Sequence, residues 1–482
     1  MRTSGAIGGI NAATLAAKSV PSLFERTIDV PQQIRDVWQV ARMPLDIGLT
    51  LDRTGAEATL PRSAKQIFSS FSNALDNPGR VYFVSPAGND STGTGAEAAP
   101  WRSIHKAVTQ ANSTGQSAKI IIDAGNYPRF ANPSNGGVVS PTVDIAFLAR
   151  GGWVTTGTFD EFSPLAADAT YPECHSLTLS NVDRVFDLIE CDRDGFHVQL
   201  RHVSTPALCA RIPGSWTSAG GKVYVNRADG LQPTTANTRI CRYSSGSWRF
   251  ENPCNVYIGP MDSHSGFETH GGDGAGCLRF YAASPAADQK ALVVEHGRFR
   301  YAGGAMTGSQ GASSISIQNF HGLALLVDCD ASRSSRDGIS ASNSSSDRAT
   351  HLVTIGCTSS FVGNRLTQSC NALTLHDHCI GIDVAGRYSY SAGGCVRIVG
   401  SSKLLLSGTR VAHDRGDLWA GGSVRPTAVM AGNDSTIWMD AADLEMKASE
   451  GLVHATVDAT VSRRRMPPSN ALDGGTGTFS AW

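Results

Sequence analysis

The residue types best suited to chemistry fall between 328 and 408 of this 482-residue chain. SRDGIS supplies Asp337, Gly338 and Ile339, and CNALTLHDHCIGIDVAGRYSY supplies Asn371, Thr374, His376 and Asp377. Asp337, His376 and Asp377 are the candidate catalytic residues. Asp347, His351, His378 and Asp383 sit in neighbouring runs and could approach them if those runs stack side by side. Two carboxylates flanking a glycosidic bond would serve hydrolysis. A carboxylate beside Arg336, Arg348 or Arg387 would serve proton abstraction in a lyase. Spacing fixes neither reaction, and Asn371, Thr374 and His376 suit hydrogen bonding within turns equally well. His376 and Asp377 are adjacent, so in a strand they point to opposite faces. Arg387, Tyr388, Tyr390 and Trp419 are the candidate carbohydrate-binding residues. Trp153, Trp216 and Trp248 are further rings able to stack on sugars or to pack in a core.

Two other groupings carry donor atoms. MDSHSGFETHGGDG holds Asp262, His264, Glu268, His270 and Asp273 on a glycine-rich stretch, without standard metal spacing, and reads as a solvated loop. GNDSTGTG holds Asp90, but neither the lysine of a phosphate loop nor an EF-hand pattern follows it. No metal and no cofactor are therefore expected.

The elements that position these residues are short apolar runs. NVYIG, SISIQNF, LALLVDCDAS, HLVTIGCTSS, ALTLHDHCIGIDVAG, CVRIVG and KLLLSGTRV recur from Asn255 to about Val411, separated by Gly, Ser and Asn some twenty-odd residues apart. Each is too short and too β-branched for a helix, and the repeat fits one coil of a parallel β-helix. One coil leaves its apolar side uncovered, so coils must stack. Cys329, Cys357 and Cys379 occupy similar points of their runs and suggest an internal column. All eleven cysteines lie between Cys174 and Cys395 without a C-x-x-C pair, and read as buried free thiols rather than zinc ligands.

Ahead of these coils stands Val81–Tyr127. It gives a short strand, the loop SPAGNDSTGTG, Pro100-Trp101, a helix with Ile104, Ala107, Val108 and Ala111 on one face, and a strand through Ile120–Ile122 ending in AGNY. This order resembles the N-terminal cap of right-handed parallel β-helix proteins, the pectate-lyase-like group, which includes lyases, hydrolases and phage tailspikes. The 328–408 segment is similar to a β-helix subgroup with a D-G-[FI] element followed by an Asn, Thr and His-Asp series. That resemblance implies a shared coil architecture rather than a catalytic role.

The fold class expected is all-β: a right-handed parallel β-helix with a short N-terminal helical adaptor and an irregular β tail. Residues 1–80 form the adaptor, with candidate helices at QQIRDVWQVARM and near Ala64 to Leu75. Residues 81–127 are the cap, and 128–260 the first coils with a small β excursion around GSWTSAGGKVYVNRADGLQP. Residues 261–411 are the main solenoid and 412–482 the C-terminal segment. Two isolated short helices cannot bury enough surface to stand alone, so the adaptor must pack on the cap, on another subunit or on a larger assembly. The first twenty residues are too dilute in apolar side chains for an export signal, and no run is long enough to insert in a membrane. Forty-one basic against 42 acidic residues give no basic surface for nucleic acid. The resemblance to tail fibres and tailspikes implies a homotrimeric virion protein that meets other tail proteins through residues 1–80 and binds host surface polysaccharide. A polysaccharide-degrading enzyme, free or on a spike, and a purely structural tail component are the alternatives. If not viral, the protein would be secreted or on a cell surface.

Overall fold

The structure is a computed structural model that describes residues 26–35, 50–51, 58–59, 62–133, 140–242, 248–272, 276–281, 290–303, 312–345, 348–363, 370–413, 427–446, 453–456, 458–465 and 473–481. It is a parallel β-helix with three faces. On the first face, Val256–Pro260, Ala291–Glu295, Leu323–Val327, Thr350–Ile355, Cys379–Val384, Lys403–Ser407 and Thr436–Asp440 pair in parallel register. On the second, Gly266–His270, Gly297–Arg300, Asp330–Ser332, Thr358–Val362, Arg387–Ser391 and Arg410–His413 do the same. Leu278–Tyr281, Ile315–Gln318, Ile339–Asn343, Leu373–Asp377 and Val396–Val399 belong to the third. Alternate side chains of all three faces meet in one buried core. Parallel strands continue through Thr460–Arg464 to Thr478–Ala481, so the C-terminal segment extends the stack.

From the Ala291–Glu295 coil onward, first and second faces meet at one residue per coil in the left-handed region: His296, Asp328, Gly356, Ala385, Gly408 and Ala441 all have φ between 50° and 62°. A single such residue redirects the chain without a loop. LALLVDCDAS reads as one uninterrupted run, yet it contains two strands and a corner, and ALTLHDHCIGIDVAG likewise holds both Leu373–Asp377 and Cys379–Val384. Cys329 and Cys357 both follow this corner, and both are buried. Cys379 does not join them: it opens a first-face strand opposite Thr350, so the expected column of three holds two.

The cap follows its sequence closely. Ser103 caps the helix Ile104–Thr114, Gly115 closes it at φ 65°, and Ile104, Ala107, Val108 and Ala111 are fully buried against the end of the core. Asp90 accepts the backbone N–H of Arg102 and Ser103 and the Ser103 hydroxyl, tying the glycine loop to the helix start. The Trp101 indole donates to Gly93 O at 2.9 Å, and Gly95 leaves room for its ring, which a Cβ there would meet at 2.7 Å.

After Gly157 the chain leaves the solenoid and returns at Trp248. The excursion holds a five-stranded sheet that includes the hairpin Ser215–Ala219/Lys222–Asn226, and a three-stranded sheet of His197–Gln199, Val182–Cys191 and Thr238–Arg242. Trp216 and Trp248 are fully buried, the first in the excursion and the second in the solenoid, so neither is a surface platform.

The outward side of the first face is also apolar. Tyr257, Val293, Leu325, Val353, Ile382, Leu405 and Trp438 form a second cluster with Ile28, Ile34, Ile67 and Phe68. The helix Ala64–Ser69, closed by a Ser63–Gln66 capping box, places Phe68 against Tyr257. At the far end of the solenoid Asp29 accepts from Arg464 at 2.9 Å. The described pieces of the N-terminal segment therefore lie along the first face from its last coils to its first. Val37, Trp38 and Ala41 of the first candidate helix lie outside the described residues.

Candidate functional site

The 328–408 candidates do not converge. Asp337 precedes the third-face strand Ile339–Asn343 and is 2% exposed; its Oδ1 accepts the Asn371 backbone N–H at 2.9 Å. Burial raises its pKa, offset in part by Asn371 and Arg336. Asp377 is exposed at the opposite end of the next strand, level with Asn343. Six residues of extended chain, roughly 20 Å, separate Asp377 from Asn371, the residue that holds Asp337. His376 lies half-buried, 3.1 Å from the Thr374 hydroxyl, and burial lowers its pKa. These polar groups hold the coil turns together, and the expected catalytic trio has no shared cleft.

Tyr388 requires the same correction as a sugar-binding candidate. It points into the core at 1% exposure and donates to Asp383 Oδ1 at 2.6 Å. Asp383 also accepts from Thr354 and Thr409 inside the solenoid, and burial raises its pKa. Trp419, Asp273 and Asp347 lie outside the described residues.

Arg387 and Tyr390 lie on a polar surface that the sequence reading did not assemble. Phe267, Phe299 and Ala331 point inward from the second face, so Glu268, Arg298 and Asp330 point outward at one register position. Thr358, the exposed Arg387 and Arg410, and Asp443 continue the row coil by coil. Asn126 and Thr155 begin it. Glu268 and His270 thus belong to a strand, where the sequence suggested a solvated loop. Asp262 does lie in a turn there, accepting from the Ser265 hydroxyl and from backbone N–H of Gly151 and His264.

Arg300 ties the row together. Its Nε donates to Asp330 Oδ2 at 2.5 Å, and its Nη1 lies 3.5 Å from Glu268 Oε1. Thr358 and Ser332 hydroxyls also donate to Asp330. Behind Glu268, His270 Nε2 stands 3.0 Å from Oε1, and Arg239 donates to His270 Nδ1 at 2.6 Å. Burial opposes the charge on Glu268, but His270, Arg300 and Arg239 outweigh it and hold the carboxyl far below its ordinary range. Burial pulls His270 down to about 4, so its ring is neutral at pH 7. Arg298 stacks instead on the half-buried Trp153 ring, its guanidinium 3.8 Å from the ring centroid.

The excursion walls this surface. Asp192 pairs with Arg333, whose guanidinium lies between Phe196 and Phe361 at 4.7 and 4.3 Å from their centroids. Phe361 stacks on Tyr390 at 4.6 Å with 6° between planes. Tyr301, Arg333, Phe361 and Tyr390 all have φ between 49° and 64° and form a second column of left-handed corners. The second face and the excursion thus border a groove with a charged floor and an aromatic side wall, and Arg298 covers the Trp153 ring.

No family model and no curated protein matches the chain. Among solved structures, the chain is similar to a XylC complex with xylose, at 12% identity and TM-score 0.40, covering 80% of this chain and 69% of that one. A GH136 lacto-N-biosidase from Eubacterium ramulus is similar at 9% identity and TM-score 0.36, covering 86% and 69%. The tailspike protein gp49 from Pseudomonas phage LKA1 is similar at 9% identity and TM-score 0.26, covering 78% and 71%.

Proposed function

We propose that the protein binds a polysaccharide lengthwise in the groove over the second face. The observation that carries this reading is the Arg298 guanidinium lying on Trp153, in one outward row with Glu268, Asp330 and Arg387. Charged donors and acceptors at the coil repeat suit a hydroxyl-rich chain, and the aromatic side wall suits its apolar C–H faces. Tyr390 and Phe361 would contact the chain from the side. The ligand class follows the sequence expectation of a host surface polysaccharide met by a virion protein. Binding to an array of bacterial surface polysaccharides tests the reading, with Trp153→Ala and Arg298→Ala as controls. An array blank for the wild type, or hits indifferent to both substitutions, would remove it.

A second reading is cleavage. Glu268 and Asp330 share a register position two coils apart, about 10 Å between Cα atoms at the spacing of β-strands. Carboxyl groups of inverting glycosidases stand ~6.5–9.5 Å apart, a separation side chains on these coils can reach. Both carboxylates are engaged by Arg300, which favours binding as the primary role. New reducing ends from an array-positive polysaccharide, abolished by Glu268→Gln, would establish cleavage.

A further inference from the structure

We infer that the recess between the cap and the excursion is a second binding site, separate from the groove, that takes a small organic carboxylate against Arg239. The recess has a volume of about 460 Å3, and Asn126, Phe159, Glu161, Phe162, Ala236 and Arg239 are part of its lining. Asn126 alone among these belongs also to the second-face row. The next rungs, Thr155 and Glu268, are buried and mostly covered, so the recess does not continue the groove.

The segment that leaves the solenoid after Gly157 forms one wall and is fastened on both sides. Phe159 O accepts the Arg129 backbone N–H at 2.7 Å, and Phe159 bridges to Cys241 of the excursion. Asp160 accepts from Arg129 and Arg242 at 3.0 Å each, and Glu161 accepts from Arg102 at 2.7 Å. Both carboxylates of this wall are therefore neutralised by arginines other than Arg239.

Arg239 is placed differently. In the strand Thr238–Arg242, Ile240 turns into the excursion's own core and Arg239 to the other side. Arg239 is 8% exposed, and its guanidinium lies 4.4 Å from the Phe159 ring centroid. Among the described residues its hydrogen bonds go to two neutral acceptors, His270 Nδ1 at 2.6 Å and Asn126 Oδ1 at 2.9 Å. Glu268 stands beyond the His270 ring, where Arg300 also reaches it. A guanidinium carries five N–H groups, so donors remain for a ligand. Burial without a directly bonded carboxylate pulls the Arg239 pKa down. An entering carboxylate supplies the missing charge and accepts paired N–H bonds, the arrangement in which arginine binds most strongly. Phe159 and Phe162 receive its carbon body. Asp160 and Glu161 in the wall oppose a doubly charged phosphate more than a single carboxylate. The volume falls in the range of pockets that enclose small molecules.

Titration calorimetry of the full chain with glucuronate and with benzoate tests the site, with glucose and benzyl alcohol as the uncharged counterparts. At least one acid should bind, and its counterpart should bind about tenfold more weakly or less; the acid that responds tells whether the favoured body is hydroxylated or aromatic. Ala236→Trp, on the exposed rim, should weaken that acid about tenfold or more with an unchanged circular dichroism spectrum. Arg239→Gln should do the same where it folds. Failure of both acids to bind, or equal binding of the uncharged counterparts, overturns the site without recourse to any variant. Undiminished acid binding in a folded Ala236→Trp protein overturns it as well. Polysaccharide capture should be unchanged in Ala236→Trp, and its loss there would overturn the separation of recess from groove.

Discussion

Glu268, Arg298 and Asp330 show what a register position does that spacing cannot. Their separations along the chain are unequal, and neighbouring rungs lie as close as 387 and 410 or, across the excursion, as far apart as 155 and 268. The alternation in GFETH was the available signal, but glycines on both sides made it resemble a loop. By contrast, Asp337 and Asp377 belong to a recognisable series and yet end up at opposite ends of a strand. If Arg298 supplies the groove's available donors, Arg298→Ala should lower polysaccharide affinity at least tenfold, since a charge-assisted hydrogen bond contributes about 1.5–3 kcal/mol. Isothermal titration against an array-positive glycan measures this. Asp383 gives a pH prediction. Its folded pKa is raised above the ordinary 3.8, chiefly by burial, so the unfolded chain releases its proton first and stability falls as pH climbs from about 4 toward the folded value. Asp383→Asn removes that slope. The melting temperature of the variant relative to wild type should increase across this window, and a constant difference would show that the site does not titrate.

At the scale of the element, the cap was legible and the corners were not. Ser103, Gly115, Trp101 and the apolar helix stripe act locally, so their sequence order carries their structure. A corner made by one residue leaves no gap in an apolar run, and Ala385 or Ala441 gives no glycine signal where φ is nonetheless positive. The column predicts opposite effects of opposite substitutions. Ala441→Gly should stabilise the protein by roughly 1 kcal/mol, the approximate cost of holding an L-residue with a side chain in this region. Gly356→Ala should destabilise it by a similar amount, because its φ of 61° disfavours a side chain, while the exposed Asp328 carboxylate can turn away from the added Cβ. Denaturant midpoints of the two variants test both signs. His351 makes a different demand on its element: it stands between Leu323 and Ile380 on the apolar outer side of the first face, and burial lowers its pKa to about 4 from 6.5. The unfolded chain therefore takes up a proton that the folded chain refuses, and stability falls as pH drops from about 6.5 to about 4. The shift amounts to about 3 kcal/mol at the acid end. His351→Leu should remove this loss, with chemical denaturation at pH 8 and pH 4.5 as the measurement.

For the whole molecule, the covered first face decides what assembly can mean. A β-helix that trimerises buries flat apolar faces between subunits, and the outer side of the first face is apolar along its length. Here Ile28, Ile34, Ile67 and Phe68 from the same chain pack with that cluster, and the ends of their path are fastened. Arg464 holds Asp29 at the last coils, and Asn255 donates to Phe71 O at 3.2 Å at the first. The sequence expectation for residues 1–80 is attachment; the described pieces pack on the solenoid, so assembly through this face would first require their displacement. Removing residues 1–61 should uncover the part of the face under Ile28, Val30 and Ile34 while leaving the Ser63 cap and the helix after it intact. A bare apolar patch of this extent is a self-association surface. The shortened protein is expected to form larger species than the full chain at equal concentration, read by light scattering on a sizing column. Asp29→Arg should move the full chain part of the way by setting like charge against Arg464. If both proteins match the full chain in mass, the segment is not what keeps this face from other copies.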